Sequence, residues 1–230
     1  MKIICIPGLG GHKNIFRYYA KEFPEHQMEF VQLINWHKAQ EEVAHMIDAS
    51  DEVILLCNCY GAQIALRAMY TRMEKVKALI IIEPFFFEFT PWFKFPFVFA
   101  QILYFLKKIT DHFGWRRKKY SKTIEYSSVE LQPLCLQPLY DIQHQSLTDY
   151  FAKLIDIGTF RLPEKIETKT LFIFSPRGFT RDPIKREKIK KVFVNADVEE
   201  LGENSHNIAT LSRVKLAEAI KKWIEKKVLA

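Results

Sequence analysis

Residues 53–66 read Val-Ile-Leu-Leu-Cys-Asn-Cys-Tyr-Gly-Ala-Gln-Ile-Ala-Leu, and no other stretch limits the possible folds of this chain so tightly. The apolar run at 53–56 fits a strand buried on both faces. A helical pattern (Gly61, Ala62, Ile64, Ala65, Ala68, Met69) follows almost at once. Small residues flank the central cysteine at a spacing of two, as Cys57-x-Cys59-x-Gly61. A nucleophile carried on a sharp strand-to-helix turn, pointing off the top of a parallel sheet, requires this layout. A helix N-terminus also favours the thiolate, the reactive form of cysteine. Cys57 is expected to be the small residue that lets the turn close. The plainer alternative for Cys59, a small buried hydrophobe, is weaker given the spacing.

The rest of the chain supplies strands and helices in alternation. Strand-like runs fall at 3–6, 28–34, 53–56, 76–82, 170–174 and 198–201. Helical patterns fall around Ile15, Phe16, Tyr19 and Phe23, around Val43, Met46 and Ile47, and at 183–192 and 214–227. Such alternation predicts right-handed crossovers and a mostly parallel sheet with helices on both faces, an α/β fold. Continuous apolar strands agree, because a strand covered on both sides loses its polar alternation. Residues 85–165 break the rhythm. They are aromatic-rich and helix-like in pieces, no Gly/Ser linker bounds them, and they read as an insertion between two sheet strands.

Composition excludes several function classes. The net charge is +7, but Lys and Arg are interleaved with acids, and the densest knot, Trp115-Arg-Arg-Lys-Lys-Tyr120, is too short to make a nucleic-acid binder. A solvated basic face is the expectation, with an anionic partner (acyl carrier protein, coenzyme A phosphates, acidic lipid) as the alternative. Cys5, Cys57, Cys59 and Cys135 form no zinc pattern, so no metal and no cofactor is expected. Met1 leads straight into a short strand ended by Pro7-Gly8, with no signal peptide, and free thiols then suit a reducing cytoplasm. Residues 85–106 hold nine of the nineteen phenylalanines. Glu88, Pro91, Lys94 and Pro96 interrupt them, leaving less than the roughly 18–20 apolar residues of a membrane span. Peripheral contact with lipid through this segment remains compatible with its composition.

Acyl transfer through a thiol needs a base, a group to orient it, and donors for the oxyanion. Of His12, His26, His37, His45, His112, His144 and His206, only His206 sits in a loop after the last strand, in Leu201-Gly-Glu-Asn-Ser-His-Asn. Parallel strands deliver that loop to the edge that carries the elbow. His37 and His45 lie near or in an amphipathic helix and read as surface residues, whereas His144 falls in the insertion and is placed to line a pocket. Asp182 is the favoured orienting acid, as the only carboxylate in the loop after 170–174. Asp182-Pro183 also reads as an ordinary helix N-cap. Glu83, ending the strand at 76–82 on the same edge, is the alternative acid. The oxyanion donors are expected to be the backbone N–H groups of Tyr60 and of Leu9, in Pro7-Gly8-Leu9-Gly10-Gly11. That loop lacks the Gly-Lys-Ser/Thr of a phosphate cradle.

With a first strand, Pro7-Gly8-Leu9-Gly10-Gly11, the elbow, and then acid and histidine in the order nucleophile, acid, base, the chain resembles the α/β-hydrolase superfamily. The resemblance covers nearly the whole chain apart from the insertion. It implies a single domain, 1–230, that begins at the family's third strand. The sheet would then hold about six strands and lack the antiparallel opening hairpin. Residues 85–165 would be an aromatic-rich helical lid shaping the substrate pocket. The chain departs from the family pattern at two places. Cys57 stands where glycine is commonest, which would strain the turn, and Cys59 stands where most members carry serine. Cysteine elbows occur in dienelactone hydrolases and polyhydroxyalkanoate synthases, but this chain is too short for the synthases and lacks further signatures of either.

Phe85, Phe86, Trp92 and His144 are therefore expected to bind an apolar acyl or aromatic substrate, although some of these rings must simply pack the insertion on the sheet. The leading expectation is a Cys-His-Asp hydrolase of a thioester or ester, with coenzyme A or an acyl carrier protein as the candidate acyl carriers. The alternatives are an acyltransferase using the same S-acyl intermediate, and a non-catalytic binding protein for a hydrophobic ligand.

Overall fold

The apolar runs of the sequence become the middle of a six-stranded, all-parallel sheet in the computed structural model, with strand order β2-β1-β3-β4-β5-β6. The structure describes residues 1–8, 16, 18–31, 36–84, 86, 102, 106, 156–157, 160–175, 183–201 and 212–229, without the side chains of 18, 36, 37 and 183–186. The strands are β1 (Lys2–Ile6), β2 (Gln27–Phe30), β3 (Val53–Asn58), β4 (Val76–Ile82), β5 (Lys169–Phe174) and β6 (Ala196–Glu200). The helices are α1 (Trp36–Asp48), α2 (Gly61–Met69), α3 (Pro183–Val192) and α4 (Arg213–Lys227), with a 3-10 turn at Tyr18–Lys21.

Side chains along each central strand alternate between two cores. Val53, Leu55 and Cys57 of β3 face one, with Ala39, Val43 and Ile47 of α1, most of α2, and Ile189 of α3. Ile54 and Leu56 face the other, with Phe16, Tyr19 and Phe23 and with Leu216, Ala217, Ile220 and Ile224 of α4. Burial on both faces is why these strands carry no polar alternation. Each such Leu or Ile contributes on the order of 1.5–3 kcal/mol relative to exposure.

Two elements differ from the sequence expectation, and both are edge strands. The strand expected at 28–34 is Gln27–Phe30, and the one expected at 198–201 is Ala196–Glu200. Each is half-buried and carries charge (Glu29; Asp197, Glu199, Glu200), which blurs the apolar signal and discourages pairing with another chain. The first helical pattern appears as a helical residue at Phe16 and the short 3-10 turn.

Adjacent strands β4 and β5 pair in parallel, Ile82 opposite Ile173. Residues 83–168 therefore leave at the carboxyl edge and return at the amino edge one strand over. Their described returning leg runs over the α1, α2 and α3 side: Asp156 meets α2, Phe160 and Ile166 enter the core there, and Ile166 bridges to Phe193. The interior of the expected lid lies outside the described residues, in which no helix is long and apolar enough to cross a membrane.

Candidate active site

The elbow forms where β3 outruns its partner. The Cys59 N–H still bonds to the Ile82 carbonyl of β4 at 2.9 Å, as a strand residue would. The chain then turns, and the Ala62 and Gln63 N–H groups bond back to Cys59 O (3.2 Å) and Tyr60 O (3.0 Å) to start α2. Making both moves in one residue puts Cys59 at φ 50°. That region is costly for a residue with a Cβ, and occupied non-glycine positions there cluster at functional sites. The turn's backbone strain is at Cys59, the residue that carries the thiol. Cys57 is an ordinary strand residue, opposite Ile6 and Ile81, with its side chain in the core.

Two glycines make the turn possible. A Cβ on Gly61 would lie 2.4 Å from both the Ile6 and Pro7 carbonyl oxygens, so α2 starts in backbone contact with the end of β1. A Cβ on Gly8 would lie 2.9 Å from the Cys59 Cβ, so the Pro7-Gly8 backbone lies directly against the nucleophile candidate. Cys59 itself is half-buried, whereas Cys5 and Cys57 are fully buried, and burial pushes both of those thiols well up. Only Cys59 of the three is open to a ligand.

The same geometry recurs one strand over. Glu83, directly after β4, has φ 49°, and its N–H bonds to Ile173 O at 2.9 Å. Its side chain is buried at 1% exposure, and its Oε1 accepts the N–H of Ser175, the first residue after β5. Cys59 and Glu83 are the only described non-glycine residues at positive φ, and they end neighbouring strands on one edge. Glu83 thus pins the start of the loop that leads to Asp182.

Tyr60 is fully buried, and its hydroxyl donates to Asp156 Oδ2 at 2.7 Å. Burial first, and the Asp156 hydrogen bond second, push the phenol far up, so it remains a donor. Arg67 Nη2 meets Asp156 Oδ1 at 2.7 Å, and its guanidinium lies 5.3 Å over the Phe160 ring. Phe86 stacks on Phe160 and on Phe193, each at 6.3 Å. Phe86, one of the expected substrate residues, thus packs against both the returning leg and the residue after α3. An open groove of about 520 Å³ lies along α2, between Leu66, Arg67 and Tyr70 and residues 160–163, some two helical turns from Cys59.

The structure brings Cys59, Tyr60 and Glu83 to the carboxyl edge together with Gly8. Leu9, Phe85, Trp92, His144, Asp182 and His206 lie outside the described residues. Strands β5 and β6, which lead to Asp182 and His206, both end at this edge; Leu201 N–H bonds to Phe174 O at 2.9 Å there. His26 precedes β2 and His45 lies in the last turn of α1, so both belong to the opposite edge. Sequence reasoning missed Asp156 and Arg67. Each is the lone charge in an apolar segment, Leu154-Ile155-Asp156-Ile157 and α2, and that is the signal of a buried pair.

No family model matches the sequence, and no curated protein matches it. Solved structures do match. An esterase from Exiguobacterium antarcticum superposes with a TM-score of 0.72 at 16% identity, covering 98% of this chain and 92% of its own. A variant of an epoxide hydrolase from Bacillus megaterium gives 0.73 at 16% identity, covering 97% and 93%. A lipase-esterase related protein from Clostridium acetobutylicum gives 0.67 at 14%, covering 97% and 94%. These proteins act on different bonds, so their shared architecture does not assign a substrate. A parallel six-stranded sheet, an elbow after its third strand and full-length superposition on these proteins identify the chain as having the α/β-hydrolase fold.

Proposed function

We propose that this protein is an acyl hydrolase that works through an S-acyl-enzyme on Cys59, acting on a thioester or ester with an apolar acyl group. The observation that carries the reading is Cys59 itself: held at φ 50° on the elbow, half-open, with the Gly8 backbone against its Cβ. Similarity to esterases and other hydrolases of the same fold supports a hydrolytic reaction.

In the proposed cycle the Cys59 thiolate attacks the acyl carbon, forming a C–S bond and an oxyanion. The Tyr60 and Leu9 N–H groups stabilise that oxyanion. The Cys59, Ala62 and Gln63 N–H groups are engaged in the turn, and among the described residues none takes up the Tyr60 N–H. Collapse expels the thiolate or alkoxide, which takes the proton that His206 had accepted from Cys59. Water, deprotonated by His206, then attacks the thioester carbon, releasing the acid and restoring the thiol. Asp182 or Glu83 orients His206.

Intact-mass measurement after incubation with acyl-coenzyme A thioesters of increasing length and with p-nitrophenyl esters tests the reading. One acyl mass should appear in the wild type and be absent from Cys59→Ala. Label on Cys5 or Cys135 would sink it. Release of free acid without an added acceptor selects hydrolysis, whereas an adduct that persists until an amine, thiol or alcohol is supplied selects an acyltransferase. No adduct and no turnover across the series leaves a binding protein. Asp182→Asn and Glu83→Gln assign the acid, which is whichever substitution slows acylation more.

A further inference from the structure

Tyr60 occupies two roles at one position. Its backbone N–H directly follows the nucleophile, and its side chain ends on a residue 96 positions away. Tyr60 and Arg67 are seven residues apart, two turns along one face of the elbow helix. Asp156 spans them, one carboxylate oxygen on the phenol and the other on the guanidinium, both at 2.7 Å. Asp156 is 4% exposed and belongs to the returning leg of residues 83–168. Burying a carboxylate here is not the cheapest way to fill the space, because well-packed apolar residues often do as well as a buried charged network. What the network adds is direction. The hydroxyl of Tyr60 donates to Asp156, which fixes the ring and with it the peptide at the start of α2.

We propose that Tyr60, Asp156 and Arg67 form a latch that sets the position of the Tyr60 N–H, so that the returning leg of the insertion governs the acyl-transfer step at Cys59. The proposal rests on the acyl-hydrolase reading above. Tyr60 (through its side chain), Asp156 and Arg67 are positioning residues, since their side chains act through the elbow and not on the substrate. A displacement of about 1 Å at such a donor costs on the order of a hundredfold in rate.

The test uses pre-steady-state acylation by p-nitrophenyl acetate, followed by intact mass. Tyr60→Phe removes one oxygen and keeps the ring. It should slow acylation about 10- to 100-fold while the half-saturating concentration stays within about twofold. Asp156→Ala should match it, the double variant should be no slower than either alone, and Asp156→Asn, which keeps an acceptor for the phenol, should retain most of the rate. A folded Tyr60→Phe with wild-type acylation overturns the proposal, as does a shift confined to half-saturation. Amide hydrogen exchange of a peptide covering 58–66 gives a readout independent of turnover, and it should quicken in Tyr60→Phe. Wild-type protein that forms no adduct, with exchange still quickened by Tyr60→Phe, removes the acyl-hydrolase reading and leaves the latch. Unchanged exchange removes the latch.

Discussion

The amino and carboxyl edges of the sheet are built on opposite terms. At the amino edge charges meet in water: Lys77–Glu52 at 2.7 Å, with both side chains nearly half exposed, Arg72–Asp48 at 2.7 Å, and the Lys75 ammonium on the Asp48 carbonyl at 2.8 Å. Such pairs contribute little to stability. At the carboxyl edge two neighbouring strands end in the left-handed region, a glycine backbone rests on a cysteine Cβ, and a buried carboxylate holds a backbone N–H. Strain of that kind survives only where the surroundings over-determine it. One edge is laced with solvated charge pairs, and the other holds a conformation that the local sequence would not choose.

Substitutions should separate the edges by size of effect. Gly61→Ala should be the most damaging, because its Cβ would meet two backbone carbonyls that cannot turn aside. Denaturant titration should show a loss of about 3 kcal/mol or more, with acylation abolished. Cys59→Gly should do the reverse to stability. It ought to be about 1 kcal/mol more stable than Cys59→Ala, because glycine accepts φ 50°, while both are equally inert toward acyl donors. Lys77→Ala at the amino edge should cost under about 1 kcal/mol, and added salt should shrink that difference further.

Dependence on pH divides in the same way. Cys5 and Cys57 are held as thiols by burial, above the usual value of 9.0. Above that pH the unfolded chain ionises its thiols while the native one does not, so stability present below it falls as pH rises. Urea titrations between pH 8 and 10 should show a shallower fall in Cys5→Ala/Cys57→Ala. At the amino edge the Asp48 carboxyl is held below its ordinary value, chiefly by the Arg72 hydrogen bond. Its contribution is present above the unfolded value and lost as pH falls through the native one.

How far the fold was legible follows from what each residue faces. Strands β3 and β4 announce themselves because both faces are buried and every position but Asn58 and Lys77 is apolar. The edge strands are legible only with shifted bounds, because their half-wet faces mix charge with hydrophobe. The elbow was legible because its chemistry is local: Cys59, Tyr60 and Gly61 are consecutive positions that one turn constrains. Even there the residue at positive φ is not named by the spacing. Spacing identifies the turn, but only the hydrogen bond from Cys59 N–H to Ile82 O reveals which residue must twist. Of the Tyr60–Asp156–Arg67 network, only the lone charges of Asp156 and Arg67 in apolar segments were legible, not their pairing. It depends on where a long excursion comes down on α2, and no local pattern records that.

That landing point bears on what holds the excursion in place. Phe86 is wedged between Phe160 and Phe193, and Asp156 is held by Tyr60 and Arg67, so both ends of the excursion are anchored. Closing a chain between fixed anchors costs only about 0.6 kcal/mol for each doubling of its length. Against that weak dependence on length, the two anchors are the stronger determinants of how the excursion is held to the sheet.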